Sequence, residues 1–114
     1  MRSPITTHIL DTAEGRPAAG VAVTLERCGG DGAWTEIGAG VTDADGRVTD
    51  LLAPGPIATG RYRLRFEVGA YHDARGVRGF YPHVELAFRV DAGDEHYHVP
   101  LLLNPFGYST YRGS

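Results

Sequence analysis

Apolar and polar residues alternate along most of this chain. Ile5, Thr7 and Ile9 fall on one side of a period-two pattern, and Thr6, His8 and Leu10 on the other. Val21, Val23 and Leu25 alternate with Ala22, Thr24 and Glu26, and Val84, Leu86, Phe88 and Val90 with Glu85, Ala87 and Arg89. The cleanest case sets Tyr62, Leu64, Phe66 and Val68 against Arg61, Arg63, Arg65 and Glu67. Trp34 to Val41 is a weaker run, diluted by Gly38 and Gly40. Near the end, Tyr97, Val99, Leu101 and Leu103 make an apolar face opposite His96, His98, Pro100 and Leu102, and Tyr108 to Arg112 reads as extended again. Such a period marks half-buried strands, because successive strand side chains point to opposite faces. Gly15-Arg16-Pro17, Gly29-Gly30-Asp31-Gly32, Asp45-Gly46, Pro54-Gly55-Pro56 and Ala92-Gly93-Asp94 are turn signals between the runs. Strands at this spacing predict an all-β antiparallel sandwich or barrel. Only Ala70 to Ala74 has room for a helical turn or two, and Gly76 limits it.

The chain has 114 residues, enough for one domain spanning 1–114 with a core of its own. The formal net charge is -3. No basic stripe is available for phosphates, so nucleic acid is not an expected partner. Every cationic side chain other than histidine is Arg, which excludes a catalytic lysine or a Schiff base. A single cysteine, Cys28, leaves no intrachain disulfide, and no helix start or tight glycine turn surrounds it to activate a thiolate. No run is long enough to span a bilayer and none resembles a signal peptide, so a soluble, cytoplasmic protein is expected.

Several residues could carry chemistry. His8 lies mid-strand opposite Ile5 and Ile9, and taken alone it reads as a solvent-facing histidine. His98 shares its face with His96, Pro100 and Leu102, a mixture that suits a pocket or interface better than open water. Arg47 follows Asp45-Gly46, a turn pair typical of hairpins, and most such arginines are simply solvated. Tyr111 would ordinarily pack with its hydroxyl at an edge, and Ser114 would ordinarily fray. Arg61, Arg63 and Arg65 form a charged, solvated strand face. His72 and His83 receive no role. His8, His96 and His98 together would satisfy a catalytic zinc ion, but no acidic residue is fixed behind them, which makes metal the minority reading.

Three separated segments, in order, change these odds. They are Thr6-Thr7-His8-Ile9-Leu10-Asp11 with Gly15-Arg16-Pro17-Ala18, then Thr42-Asp43-Ala44-Asp45-Gly46-Arg47, then His96-Tyr97-His98-Val99-Pro100-Leu101-Leu102-Leu103 with the terminal Tyr111-Arg112-Gly113-Ser114. Together they resemble the 5-hydroxyisourate hydrolases, the transthyretin-like enzymes of purine degradation. The resemblance covers nearly the whole chain. It implies a transthyretin-like two-sheet sandwich of about eight strands, with one short helix between the fifth and sixth. It implies His8, Arg47 and His98 as catalytic residues and Tyr111, Arg112, Gly113 and Ser114 as the segment that closes over the substrate. It implies a homotetramer built as a pair of dimers, acting on 5-hydroxyisourate with no cofactor and no metal. Asn104 stands where Ser is more usual in the family, outside the matched catalytic positions.

The chemistry fits these residue types. Opening the ring N–C(=O) bond needs an activated water, a stabilised oxyanion and a protonated leaving nitrogen. A neutral imidazole can take and return a proton near neutral pH. Arg47 stays protonated, so it can bind planar oxygens and developing negative charge but cannot act as a base. A neutral imidazole base predicts a rate that rises as pH climbs through about 6 to 7. The alternative is a small-ligand binding protein without catalysis, on the same fold. The fold alone does not separate the two.

Overall fold

In the computed structural model, which describes residues 3–114, the alternating runs form two sheets packed face to face around one core. The strands are β1 (Ile5–Asp11), β2 (Arg16–Pro17), β3 (Ala22–Cys28), β4 (Trp34–Val41), β5 (Arg47–Val48), β6 (Gly60–Phe66), β7 (Val84–Val90), β8 (Tyr97–Asn104) and β9 (Gly107–Thr110). The helix α1 spans Val68–Ala74. One sheet has the order β2-β1-β8-β9, with β5 also paired to β1, and the other has the order β4-β3-β6-β7. With the two-residue β2 set aside, the helix lies between the fifth and sixth strands, as expected.

The core is the predicted set of inward faces. Ile5, Ile9 and Leu101 from the first sheet meet Leu25, Leu64 and Phe66 from the second, all without solvent exposure. Each such side chain contributes ~1.5–3 kcal/mol on burial. This core makes the first sheet a rigid base for the polar residues on its outer face.

Four local expectations need correction. The sandwich is not antiparallel throughout, because β1 and β8 pair in parallel from Ile5 opposite Tyr97 to Asp11 opposite Leu103. Antiparallel neighbours are favoured where a short turn joins them, and parallel ones need a long crossover. Here most of the chain serves as that crossover. Val68 does not continue β6. It is buried in the first turn of α1, where Tyr71, also buried, donates from its hydroxyl to Asp11 Oδ2 at 2.8 Å and ties the helix to the end of β1. Burial first, and the Asp11 carboxylate second, push the Tyr71 hydroxyl up to about 12. The Asp45-Gly46 turn does not join two hairpin strands, because β4 and β5 belong to different sheets. Finally, strand β9 stops at Thr110, and the last residues cross the end of β8 as a separate bridge.

Candidate active site

The site is built on the outer face of the first sheet by strand register. β5 pairs antiparallel with β1, which sets His8 opposite Arg47. On its other edge β1 pairs with β8, which sets Thr6 opposite His98 and His8 opposite Pro100. Side chains two apart on a strand share a face, so Thr6 and His8 lie side by side there. Residues far apart in the sequence thus arrive on one surface.

A compact turn presents Arg47. The Asp43 side chain accepts from the Asp45 and Arg47 amides through Oδ1, at 2.9 and 3.0 Å, and Asp43 O accepts from Gly46 N–H at 2.9 Å. Asp favours such self-bonded turns. Gly46 has φ +74°, and a Cβ there would stand 2.5 Å from Ile9 O. The turn can therefore press its backbone onto β1, where Gly46 O accepts from Ile9 N–H at 2.8 Å. Glycine permits both the left-handed conformation and the close approach.

His8 is half-buried, and its proton affinity is lowered. Burial is the leading cause and the neighbouring Arg47 charge the second. The Asp45 backbone and the Asp43 and Asp45 carboxylates oppose this in part. The result favours the neutral ring, the form a proton acceptor needs.

His98 is also half-buried, and its Nδ1 lies 2.8 Å from Thr6 Oγ1. The same oxygen lies 2.9 Å from His96 Nε2. Thr6 is 3% exposed and had no assigned role from sequence. Its only signal was its position, two residues before His8 on the same strand face. The three histidines do not converge as metal ligands, and among the described residues no group of three His, Cys, Asp or Glu side chains could hold a metal ion.

The C-terminal segment lies against His98. Gly113 N–H donates to His98 O at 2.8 Å. A Cβ on Gly113 would stand 2.7 Å from His98 Cδ2 and 3.2 Å from Pro100 Cγ. The chain can cross the imidazole so closely only because this position has no side chain. Thr110 fastens the approach by donating to Pro100 O at 2.7 Å. Arg112 turns to the opposite face of β8. Its guanidinium stacks over the Tyr97 ring at 4.4 Å, donates to Glu95 Oε1 at 3.1 Å, and reaches His96 O at 3.4 Å. Arg112 therefore fastens the tail and does not face His98. Tyr111 is more than half exposed, and Ser114 ends the chain exposed beside Gly113.

This arrangement can be set against known proteins. The HIUase/Transthyretin family model matches residues 5–113. The chain belongs to that family. The 5-hydroxyisourate hydrolase of Mus musculus is 45% identical over 113 residues, covering 98% of this chain and 96% of the mouse protein. 5-Hydroxyisourate hydrolase 2 of Rhizobium meliloti is 50% identical over 115 residues, covering 96% and 95%. Among solved structures, Klebsiella pneumoniae 5-hydroxyisourate hydrolase aligns with a TM-score of 0.84 at 37% identity, covering 96% of this chain and 98% of that one. Sea bream transthyretin in complex with thyroxine aligns with a TM-score of 0.91, also at 37% identity, covering 97% and 95%. Family members described as a hydrolase and as a thyroxine complex thus both share this backbone, the thyroxine complex slightly more closely, and the decision between the two activities rests on side chains.

Proposed function

We propose that this protein hydrolyses 5-hydroxyisourate to 2-oxo-4-hydroxy-4-carboxy-5-ureidoimidazoline, a step of urate degradation. The observation that carries the reading is the register that sets His8 beside Arg47 on the strand face next to His98, with Gly113 laid on the His98 ring. The near-full-length likeness to proteins described as 5-hydroxyisourate hydrolases supports it.

The residues divide the work as follows. Arg47 offers a planar pair of N–H donors to the substrate oxygens and stabilises the oxyanion as it forms. A neutral imidazole, His8 or His98, takes a proton from water as the water oxygen bonds to the ring carbonyl carbon. The C–N bond then breaks, and the departing nitrogen receives a proton from an imidazole. No side chain is needed as a covalent nucleophile. Tyr111, Gly113 and Ser114 wall the substrate, and Arg112 holds that wall in place through Glu95 and Tyr97.

Pro100, Leu102 and Leu10 share the outer face with these polar groups. Pro100 is buried within the single chain, but a monomer would leave Leu10, Leu102, His96 and His98 partly wet. We assign the protein as a homotetramer, a pair of dimers, with the site where subunits meet. Closed symmetry of this kind is common among homo-oligomers. Full activity from a species that sediments as a monomer at micromolar concentration would overturn this assembly. No helix of the described residues is long and apolar enough to cross a membrane.

The deciding experiment follows the ultraviolet absorbance of freshly generated 5-hydroxyisourate. Its decay should accelerate with added protein, and dialysis against a strong chelator should leave the acceleration unchanged. A decay rate independent of the protein, with tight binding of an aromatic ligand in its place, would favour the binding role.

A further inference from the structure

Thr6 is the best-buried polar residue of the site face, and its hydroxyl stands between two imidazoles, 2.8 Å from His98 Nδ1 and 2.9 Å from His96 Nε2. A hydroxyl has one hydrogen to donate and lone pairs to accept with. It can donate to only one of two neutral rings, and from the other it can accept an N–H. The tautomers of His96 and His98 are therefore tied together through one oxygen. Such a tie matters for a base, because the nitrogen facing the reacting water must be the one without hydrogen.

We propose that Thr6 is a positioning residue that holds His98 in its base tautomer and passes a proton between His98 and His96. This rests on the hydrolase reading above. Before reaction His98 carries its hydrogen on Nδ1 and donates it to Thr6 Oγ1, and the Thr6 hydrogen is donated to His96 Nε2. His98 Nε2 keeps its lone pair. As the water oxygen bonds to the carbonyl carbon, Nε2 takes a proton from that water. The Nδ1 hydrogen then moves to Thr6 Oγ1 while the original Thr6 hydrogen moves to His96 Nε2. One O–H bond breaks and one forms, so Thr6 stays neutral. His98 ends neutral with its hydrogen on Nε2, and His96 ends as the imidazolium. When His98 gives the Nε2 hydrogen to the departing ring nitrogen, the reverse shift from His96 through Thr6 restores the first state.

The surroundings suit His96 as the holder of the extra proton. Asp94 and Glu95 precede it and line a cleft of about 420 Å³ beside its ring. The positive charge of Arg112 is met by Glu95 at 3.1 Å. Among the described residues, the charged and titratable neighbours across the face include His8 on β1 and Arg47 on β5, with Asp43 and Asp45 behind His8.

The test uses the intact protein with Thr6→Val, Thr6→Ser, His96→Gln and the double variant Thr6→Val/His96→Gln. Thr6→Val keeps the shape and removes the hydroxyl. It should lower kcat about tenfold to a hundredfold with little change in KM, below the ~10²–10⁴-fold worth of the base itself. Thr6→Ser should recover most of the loss. The double variant should be no worse than Thr6→Val alone, since each change breaks the same link. Nitrogen-15 NMR should find the His98 hydrogen on Nδ1 in the wild type and shared between tautomers in Thr6→Val. Wild-type kcat in Thr6→Val, equal damage in Thr6→Ser, additive losses in the double variant, or a His98 hydrogen on Nε2 in the resting wild type would each overturn the relay. Should Thr6→Val fail to fold, His96→Gln read by kcat and by the His98 tautomer decides. If the wild type does not hydrolyse 5-hydroxyisourate, the hydrolase reading falls, while the NMR arm still judges the Thr6 link by itself.

Discussion

The two sheets show two uses of one pattern. Both carry alternating polar side chains on their outer faces. On the four-stranded sheet the arginines of β6 meet carboxylates: Arg63 pairs with Glu26 at 2.8 Å and with Glu85 at 3.6 Å, and Arg65 with Glu67 at 2.7 Å. Arg63 also lies over the Trp34 ring at 4.4 Å. Hydrogen bonds to these carboxylates, led by Glu26 for Arg63 and Glu67 for Arg65, hold both guanidinium groups more firmly protonated. That surface is a self-neutralising ladder. On the other sheet the side chains of His96 and His98 are bridged by a neutral hydroxyl, and Arg47 faces a half-buried His8 whose proton affinity its charge helps to lower. Opposite charges in contact use up each other's chemistry. A cation set beside an imidazole whose protonation it disfavours leaves that chemistry available.

The largest expected effect lies on the histidine face. His98→Asn should lower the rate with 5-hydroxyisourate by ~10²–10⁴-fold, the usual worth of a general base or acid. Circular dichroism and sedimentation should stay as in the wild type, because the ring points away from the core-facing Tyr97, Val99 and Leu101. Wild-type kinetics would remove the asymmetry between the faces. Arg47→Ala should follow at about 10²–10³-fold, the loss expected on removing an oxyanion donor. Arg47→Lys should recover only part of it, since a point charge cannot reproduce the planar fork.

Changes in the tail should act through His98. Deleting residues 111 to 114 should impair catalysis more than stability. Gly113→Ala places a methyl group 2.7 Å from the His98 ring, so it should slow turnover while shifting thermal stability by only about 1 kcal/mol. A truncated protein with unchanged kinetics would show that the tail plays no part in closing the site.

The pH profile sharpens the division between His8 and His98. Because the His8 proton affinity is lowered, a rate that depends on neutral His8 should hold until the pH falls below the ordinary histidine value of about 6.5. The linked effect on stability has the same sign. Below about 6.5 the unfolded chain takes up this proton before the folded one does, so His8 costs stability as pH falls and costs nothing above that range. An acid limb at or above about 6.5 would rule out His8 as the controlling base. The smallest effect belongs to the arginine ladder. Arg63→Ala should leave the rate unchanged, and loss of its half-buried pairs with Glu26 and Glu85 should cost about 1 kcal/mol in chemical denaturation.

Period two alone assigned the strands to a sandwich and divided β8 into a core face and a histidine face, because strand alternation is a local property of the backbone. The matched segments brought His8, Arg47, His98 and the last four residues into consideration together. Which strands would be neighbours was not legible. Alternation says which way a side chain points but not what lies beside it, and register is decided by pairing between distant segments. The parallel β1–β8 pair therefore came only from the folded chain, and with it the bridge from Thr6 to both histidines. The folded chain also decided that Arg112 faces Tyr97 and Glu95 while Gly113 lies on His98, since alternation along the tail gains meaning only once the tail has docked. The sequence by itself determined the kinds of side chain on each face. The tertiary structure decided their partners, because a hydrogen bond between residues ninety positions apart exists only after the intervening strands have packed.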